Sequence, residues 1–163
     1  LAIIKVLEEE CLVKGFKIKW PNDIYFKSKK IAGILLENQI QLDNQFVVIG
    51  VGVNYNLNQN FNCEIPWTDL SNSAKKLPDI HSLTAKLIDS ILFTSEHFKM
   101  NGLSNLLDQW DRYDMLKESK VRLIESGQPI EGKVTGISQQ GALQVLTQNG
   151  VKELYSSKYI EFI

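Results

Sequence analysis

The hydrophobic positions at the start of the chain repeat with a helical period. The repeating positions are Ile3, Leu7 and Cys11. This spacing predicts an amphipathic helix, which Gly15 is placed to end. We expect the three consecutive glutamates at 8–10 to form its solvated face, with Glu10 paired to Lys14 one turn later.

From residue 16 the period of the hydrophobic pattern changes to two. Alternation over residues 16–20, ended by Pro21, predicts a half-buried strand. Further strands are predicted at residues 24–26 and 30–37, and the polar residues 38–45 favour another hairpin. The first part of the chain is therefore expected to be a β-meander behind one helix.

The middle of the chain passes from a strand to helices. Residues 46–54 form an apolar run that is typical of a strand buried on both faces. A long polar loop is expected over residues 55–80. Two helices follow, one over residues 82–99 with Ser82 as its N-cap and one over residues 103–116.

The residues after 117 change character again. Short apolar segments are separated by tight turns that contain glycine, and they lie at 121–123, 132–137, 142–146 and 151–154. This pattern of short strands joined by tight turns predicts a small SH3-like barrel. We therefore expect an α+β protein with one domain over residues 1–117 and a second over residues 118–163.

Charge and composition exclude several classes of function. Eighteen Lys and Arg residues against nineteen Asp and Glu residues give a net charge of −1, which argues against a dedicated nucleic-acid binder. The apolar run at 47–53 is too short to span a bilayer, and no signal peptide is recognisable. Cys11 and Cys63 indicate reduced thiols in the cytoplasm. His81 and His97 lie sixteen residues apart, so no metal site is expected.

Two stretches combine a strand end with polar residues. Residues 19–23 (KWPND) place an Asn–Asp pair directly after a strand, although this local sequence alone favours a simple turn. Lys30 begins a strand of small apolar residues, so its ammonium can lean over a floor of Ala32 and Gly33. The alternative for Lys30 is a solvated lysine at the end of a hairpin.

A third stretch contains two glycines on one face of a strand. Gly50 and Gly52 leave that face bare, which permits close approach of a ring or another backbone, or packing under a helix. A dinucleotide-binding fold is not indicated, because no third glycine and no helix follow. The sequence also has no phosphate-binding P-loop and no nucleophile elbow.

In this order and spacing, the three stretches resemble the biotin–protein ligases. The matching segments are 19–23 (KWPND), 30–35 (KIAGIL), 48–54 (VIGVGVN) and 67–70 (WTDL). The resemblance implies a class II synthetase-like fold with a mixed or antiparallel sheet and flanking helices, present here in part. It also implies that an SH3-like barrel follows.

The resemblance implies a two-step reaction. Such ligases join biotin to ATP, which gives biotinyl-5′-AMP and pyrophosphate, and then pass biotin to a lysine of the biotin carboxyl carrier domain of acetyl-CoA carboxylase. Mg²⁺ accompanies the nucleotide. Two other functions stay open, a non-enzymatic protein-binding module and a relative of the lipoate–protein ligases. The KWPND string and the terminal barrel favour biotin.

The resemblance also implies roles for individual residues. Lys30 is the catalytic lysine that spans the biotin carboxylate and the α-phosphate, and Gly33 lies along the biotin slot. The other implied contacts are Asn22, Asp23 and Lys19 with biotin or its adenylate, and Asn54 and Gly52 with the nucleotide. No residue is assigned as a certain metal ligand.

The start of the chain carries its own expectation. Leu1 lies inside an apolar periodic segment, so we expect a piece of a longer protein. The glycine- and arginine-rich loop of the family should precede Leu1, and DNA binding is expected only if a winged helix precedes it as well. We therefore expect this chain alone to be inactive, and its exposed sheet edges to favour a homodimer.

Overall fold

The computed structural model describes residues 1–41, 44–57, 63–125, 127–157 and 159–163. It divides the chain into two compact units. The N-terminal unit holds residues 2–17 and 22–91, and the C-terminal unit holds residue 1, residues 18–21 and residues 92–163. These two units do not follow the domain boundary that the sequence predicts near residue 117, and that boundary stays a prediction.

Helix α1 runs over Ala2–Cys11 and buries one apolar face. It ends before Gly15, because Leu12 already has a left-handed backbone with φ of 54°. Lys14 is therefore not on the helix, and the predicted pairing of Glu10 with Lys14 is wrong. Lys14 instead pairs with Glu8 at 2.9 Å, while Glu10 pairs with Lys86 at 2.6 Å. Glu8 is buried, so the glutamates are not all on a solvated face.

A four-stranded sheet follows, with its strands in chain order. The strands are β1 (Phe16–Lys19), β2 (Asp23–Phe26), β3 (Lys29–Gln41) and β4 (Asn44–Val53). β3 pairs antiparallel with both β2 and β4. Lys27 and Ser28 both have a left-handed backbone, as a two-residue hairpin turn requires. The predicted hairpin over 38–45 is the far end of the β3–β4 pair, and its tip lies outside the described residues.

The expectation that β4 is buried on both faces is wrong. Residues 46–49 expose between 39% and 59% of their surface. β4 is the last strand of its sheet, and an apolar groove of about 370 Å³, lined in part by Ile49, Val51 and Leu87, separates it from the helix that contains Leu87. A hydrophobic run shows what a strand is able to bury, but not which layer covers it.

The helices of the second half differ from the prediction: the one expected over 82–99 is longer at both ends, the one expected over 103–116 is shorter at both ends, and a short helix lies in the expected loop over 55–80. They are α2 (Leu70–Ser73), α3 (Ile80–Asn101) and α4 (Leu107–Tyr113), with a 3₁₀ turn at Ser104–Leu106. Asp79, not Ser82, caps α3, because its Oδ1 accepts a hydrogen bond from the Ser82 amide at 2.9 Å. In the part of the chain that the structure describes, no helix is both long and apolar enough to cross a membrane.

The C-terminal unit contains a five-stranded antiparallel sheet. Its strands are β5 (Lys120–Glu125), β6 (Gln128–Ile137), β7 (Leu143–Thr147), β8 (Gly150–Leu154) and β9 (Ile160–Phe162), in the order β8-β7-β6-β5-β9. Trp20 is buried in the core of this unit, and its indole nitrogen donates to the Gly141 carbonyl at 3.0 Å. The α+β class with antiparallel sheets is confirmed.

Candidate functional site

The Asn–Asp pair of the KWPND stretch is fixed to β3. The Asn22 side-chain amide donates to the Ile34 carbonyl at 2.6 Å, and the Ile34 amide donates to the Asn22 carbonyl at 2.9 Å. Asp23 begins β2, where it pairs with Gly33 of β3. The stretch is therefore a turn, as its local sequence favours. The turn places the carboxylate of Asp23 at the start of β2, opposite Gly33.

Lys30 and Asp23 form an ion pair above Gly33. The Lys30 Nζ lies 2.6 Å from the Asp23 Oδ1. A Cβ atom placed on Gly33 would lie 3.3 Å from that oxygen and 3.5 Å from the Lys30 Nζ. The lysine thus leans over the glycine, as the first of its two interpretations predicts. The side chains of Lys30 and Asp23 remain 33% and 21% exposed, so a ligand can reach both.

A surface without side chains continues from Gly33 onto β4. Gly33 pairs with Gly52, and Gly50, two residues before Gly52, lies on the same face. A Cβ atom on Gly52 would have the Gly33 carbonyl oxygen, at 3.9 Å, as its nearest contact. We call Gly33, Gly50 and Gly52 the glycine strip. It leaves a flat, open area of sheet beside the Lys30–Asp23 pair.

The backbone of Lys30 is held by residues 66–68. The Lys30 amide donates to the Pro66 carbonyl at 2.8 Å, and the Thr68 amide donates to the Lys30 carbonyl at 2.9 Å. The Asn54 side-chain amide donates to the Thr68 carbonyl at 2.9 Å and to the Lys30 carbonyl at 3.4 Å. Asn54, predicted as a nucleotide contact, thereby joins the end of β4 to both Lys30 and the 66–68 segment.

Asp69 is a buried residue of the 67–70 (WTDL) segment, to which the sequence analysis assigned no role of its own. Its carboxylate accepts hydrogen bonds from the Leu57 amide, the Ser71 hydroxyl and both nitrogens of Asn72, at 2.7–3.0 Å. Burial alone would raise the pKa of Asp69, but these hydrogen bonds outweigh it and hold the pKa below its usual value. The signal available in the sequence was an Asp directly before Leu70 and the polar residues 71–73, the pattern of an N-cap.

The remaining predicted residues are placed as follows. Lys19 lies in the C-terminal unit, and its predicted contact with biotin stays a prediction. Over the described ranges, no group of three or more His, Cys, Asp or Glu side chains is arranged to hold a metal ion. The structure brings Asn22, Asp23, Lys30, Gly33, Gly52 and Asn54 together on and beside one sheet.

Two sequence profiles match the chain. The Biotin/lipoate A/B protein ligase family matches residues 2–54, and the Biotin protein ligase C terminal domain matches residues 118–157. The first match includes the whole of the β1–β4 sheet and the glycine strip. The second covers most of the C-terminal sheet.

Curated relatives and solved structures agree with these matches. The chain is 32% identical to the bifunctional ligase/repressor BirA of Bacillus subtilis over 96% of the chain and 49% of that protein. It is 34% identical to the Escherichia coli BirA over 83% of the chain and 42% of that protein. The chain therefore spans about half or less of the length of these relatives. The Aquifex aeolicus biotin protein ligase in complex with biotin and ATP is similar in structure, with a TM-score of 0.84 and 27% identity, over 99% of the chain and 68% of that structure.

Proposed function

The chain belongs to the biotin–protein ligase family, and we propose that it carries the lysine with which such an enzyme activates biotin. The observation that supports this most directly is the Lys30–Asp23 ion pair over Gly33, beside the glycine strip. In this proposal Lys30 is the catalytic residue. Its ammonium contacts the biotin carboxylate and the α-phosphate of ATP together, while the biotin rings lie against Gly33.

The first step needs two anions to meet. A biotin carboxylate oxygen attacks the α-phosphorus, a new P–O bond forms, and the bond to the bridging oxygen breaks, so pyrophosphate leaves with the electron pair. The carboxylate and the phosphates repel each other unless a cation lies between them. A lysine ammonium has three donors and can bridge both groups. Mg²⁺ enters with ATP, because this ion prefers phosphate oxygens and water to a cage of protein ligands.

The second step transfers biotin to a protein. The amine of an acceptor lysine attacks the acyl carbon of biotinyl-5′-AMP and loses a proton, and AMP leaves. We propose the biotin carboxyl carrier domain of acetyl-CoA carboxylase as the acceptor. This proposal rests on the family alone.

The other site residues have proposed roles that fit their positions. Asn22 and Asp23 line the adenylate side of Lys30. The contact of Lys19 with biotin or its adenylate stays a prediction of the family resemblance. Gly52 leaves room for the nucleotide on the strip. Asn54 is proposed to contact the nucleotide, and its side-chain amide also fixes the backbone around Lys30.

The finer features of the protein are also proposals. We propose that β5–β9 form an SH3-like barrel in a domain over residues 118–163, after a catalytic part over residues 1–117. The profile match over residues 118–157 supports this division. That match also favours biotin over lipoate, because it is to a domain described for biotin protein ligases, whereas the first family includes both kinds of ligase. The free thiols of Cys11 and Cys63 support a cytoplasmic location. DNA binding is proposed only for a protein in which a winged helix precedes this chain.

The proposal is tested by mapping a ligand on the chain. The probe is biotinol-5′-AMP, a biotinyl-5′-AMP analogue without the reactive acyl group, titrated into the ¹⁵N-labelled 163-residue chain. Saturable shifts of the amide signals of Lys30, Gly33 and Gly52 are expected. The matching lipoyl analogue and AMP alone serve as comparisons. Tighter binding of the lipoyl analogue, or shifts confined to other parts of the chain, would contradict the proposal.

A further inference from the structure

Residues 66–68 continue the sheet beyond the end of β4. The last residue of β4, Val53, pairs with Ala32, so β4 does not extend as far as Lys30. Trp67 takes its place and forms a parallel bridge with Lys30. On the opposite side Lys30 pairs with Tyr25 of β2. The backbone of the lysine is therefore held between a regular strand and a segment that belongs to no strand.

Residues 66–68 are outside the named strands and pair with Lys30 through an isolated bridge, so hydrogen bonds from other residues must hold them in place. The segment's own hydrogen bonds join it to Lys30 and Asn54. Directly after it, the Leu70 amide donates to the Asn54 carbonyl at 2.9 Å, and the Ser71 amide donates to the Tyr55 carbonyl at 3.0 Å. These bonds connect the segment to the chain that leaves β4.

The Asp69 carboxylate joins the same two pieces of chain. One oxygen accepts from the Leu57 amide, on the chain that leaves β4, at 2.9 Å. The other accepts from the Ser71 hydroxyl and the Asn72 nitrogens at 2.7–3.0 Å, at the start of α2. A carboxylate with two oxygens can do both, whereas a Ser or Thr cap has one oxygen and serves one side.

We propose that Asp69 is a positioning residue for Lys30. Its carboxylate holds residues 66–68 in register with Lys30, and this fixes where the Lys30 ammonium lies relative to Asp23 and Gly33. Asp69 acts through the backbone of that segment and is assigned no contact with substrate. The importance of this for activity rests on the proposed function of Lys30, but the positioning itself is measurable without any ligand.

The first experiment measures amide hydrogen exchange in the 163-residue chain. The Lys30 and Thr68 amides, which donate across the junction, are compared with the Ile34 amide, which donates to Asn22. Asp69→Ala is expected to speed exchange at Lys30 and Thr68 about tenfold relative to Ile34, because local opening precedes global unfolding there. The ratio of the exchange rates at Lys30 and Thr68 to the rate at Ile34 is used because a general loss of stability would change all three rates alike. An unchanged ratio would overturn the proposal.

Asp79→Ala is the matched control. Asp79 is also an aspartate that caps a helix of the N-terminal unit, through its 2.9 Å hydrogen bond from the Ser82 amide. Its loss weakens a cap without touching residues 66–68, so the exchange ratio should stay at the wild-type value. A rise as large as that of Asp69→Ala would mean that any lost cap loosens Lys30, which would contradict the proposal.

The second experiment tests whether Asp69 acts through Lys30. Binding of biotinol-5′-AMP is measured for Asp69→Ala, Lys30→Ala and the double variant. Asp69→Ala is expected to weaken binding about tenfold in the wild-type chain and less than twofold in the Lys30→Ala chain, since coupled residues are non-additive. Additive losses would overturn the proposal. If the wild-type chain does not bind the analogue at all, the proposed function fails while the exchange result still decides the positioning.

Discussion

Lys30 and Asp23 form an ion pair at 2.6 Å, and in the proposed function the strength of this pair determines whether Lys30 can turn to the substrate anions. Both side chains are partly exposed, at 33% and 21%. An ion pair of this kind contributes only about 0–1 kcal/mol, because water screens it and both side chains lose freedom. Lys30 can therefore exchange Asp23 for the substrate anions at little cost. The ion pair keeps the Lys30 ammonium over Gly33, but it is weak enough for the ammonium to leave Asp23.

Replacing Lys30 should remove the charge that, in the proposed function, lies between the biotin carboxylate and the α-phosphate. We expect Lys30→Ala to weaken binding of biotinol-5′-AMP by about 10- to 100-fold, the typical value of a hydrogen bond to a charged group. Lys29→Ala, which removes an exposed lysine one residue earlier, is the control and should bind normally. In an active enzyme that contains this chain, loss of such a donor typically costs about 10²–10³ in kcat. Near-normal binding by Lys30→Ala would exclude Lys30 from the site.

A side chain on Gly33 should fill the space that the ligand needs. We expect Gly33→Val to abolish analogue binding, because its Cβ would already lie 3.3 Å from the Asp23 Oδ1 and its methyl groups would cover the strip. Leu36→Val is the matched control, since Leu36 lies on the opposite face of β3 from Gly33 and is 62% exposed. Calorimetry compares the two variants. Equal affinity in both would mean that Gly33 is only a packing residue.

Asp114 gives the C-terminal unit a pH dependence of its own. Burial raises the pKa of Asp114, and the hydrogen bond from the Leu116 amide at 2.8 Å offsets this only in part. The folded state therefore holds this proton more tightly than the unfolded state. The contribution to the free energy of unfolding is greatest below the ordinary pKa of 3.8 and falls as pH rises through the folded pKa.

Asp114→Asn should remove that fall, because the amide carries no charge and keeps an oxygen for the Leu116 amide. Urea unfolding of both chains is measured between about pH 3.5 and 7. The stability of the variant relative to the wild type should increase across this range. Asp108→Asn, on an exposed position of α4, is the control. A relative stability of Asp114→Asn that does not change with pH would show that the buried carboxyl does not govern it.

At the scale of elements, the sequence was informative where contacts are local. The β2–β3 hairpin follows from two apolar segments on either side of a short polar turn, although β3 continues to Gln41, past its predicted end at residue 37. The end of α1 was missed because it depends on the backbone of Leu12, an ordinary residue in a left-handed conformation. Exposure of β4 was missed because a run of apolar residues does not reveal its neighbours.

In the candidate site, too, contacts between residues close in sequence were predictable and contacts between distant residues were not. Lys30 and Gly33 are three residues apart in one strand, so their proximity was predictable. The contact of Lys30 with residues 66–68 joins positions more than thirty residues apart, so no local sequence pattern predicts it. Asp69 gave only the signal of a helix cap. Its bond to the Leu57 amide becomes visible once the chain is folded.

The outer edge of β4 should cause self-association. Its strand is ten residues long and apolar, and exposed edges of this kind pair with other chains. We expect the wild-type chain to dimerise reversibly in sedimentation equilibrium, and Val47→Lys to shift it to monomer. Leu36→Lys on β3 is the control, because Leu36 is as exposed as Val47, at 62% against 59%, but does not lie on the edge strand. Equal effects of both variants would indicate contact through the sheet face, and a monomeric wild type would exclude the dimer.

At the scale of the whole chain, each unit has its own buried apolar residues. Ile4, Leu7, Ile24 and Ile31 are buried in the N-terminal unit. Trp20 and Leu116 join residues of β5–β9 in the core of the C-terminal unit. We therefore expect the 163-residue chain to fold as it stands, which is the condition for every binding experiment proposed above.

Ligase activity requires more than a folded chain, because the adenylate must be kept from water. The glycine strip is open, and the side chains that flank it on the same face, Leu35 and Val48, are 59% and 44% exposed. Water that reaches biotinyl-5′-AMP competes with the acceptor lysine. The chain also spans at most half the length of the curated ligases that it matches. These two facts favour a chain that binds the adenylate but does not use it efficiently.

We therefore expect the 163-residue chain, incubated with biotin, Mg·ATP and a biotin carboxyl carrier domain, to give no labelled carrier when probed with streptavidin. The Escherichia coli relative in the same assay is the positive control, and Lys30→Ala measures the background. Labelling above that background would show that the strip is better covered than its exposed flanks indicate. Repeating the assay with Val47→Lys would then locate the cover, because a wall supplied by a second copy across the β4 edge would be lost in that variant, whereas a wall within one chain would remain.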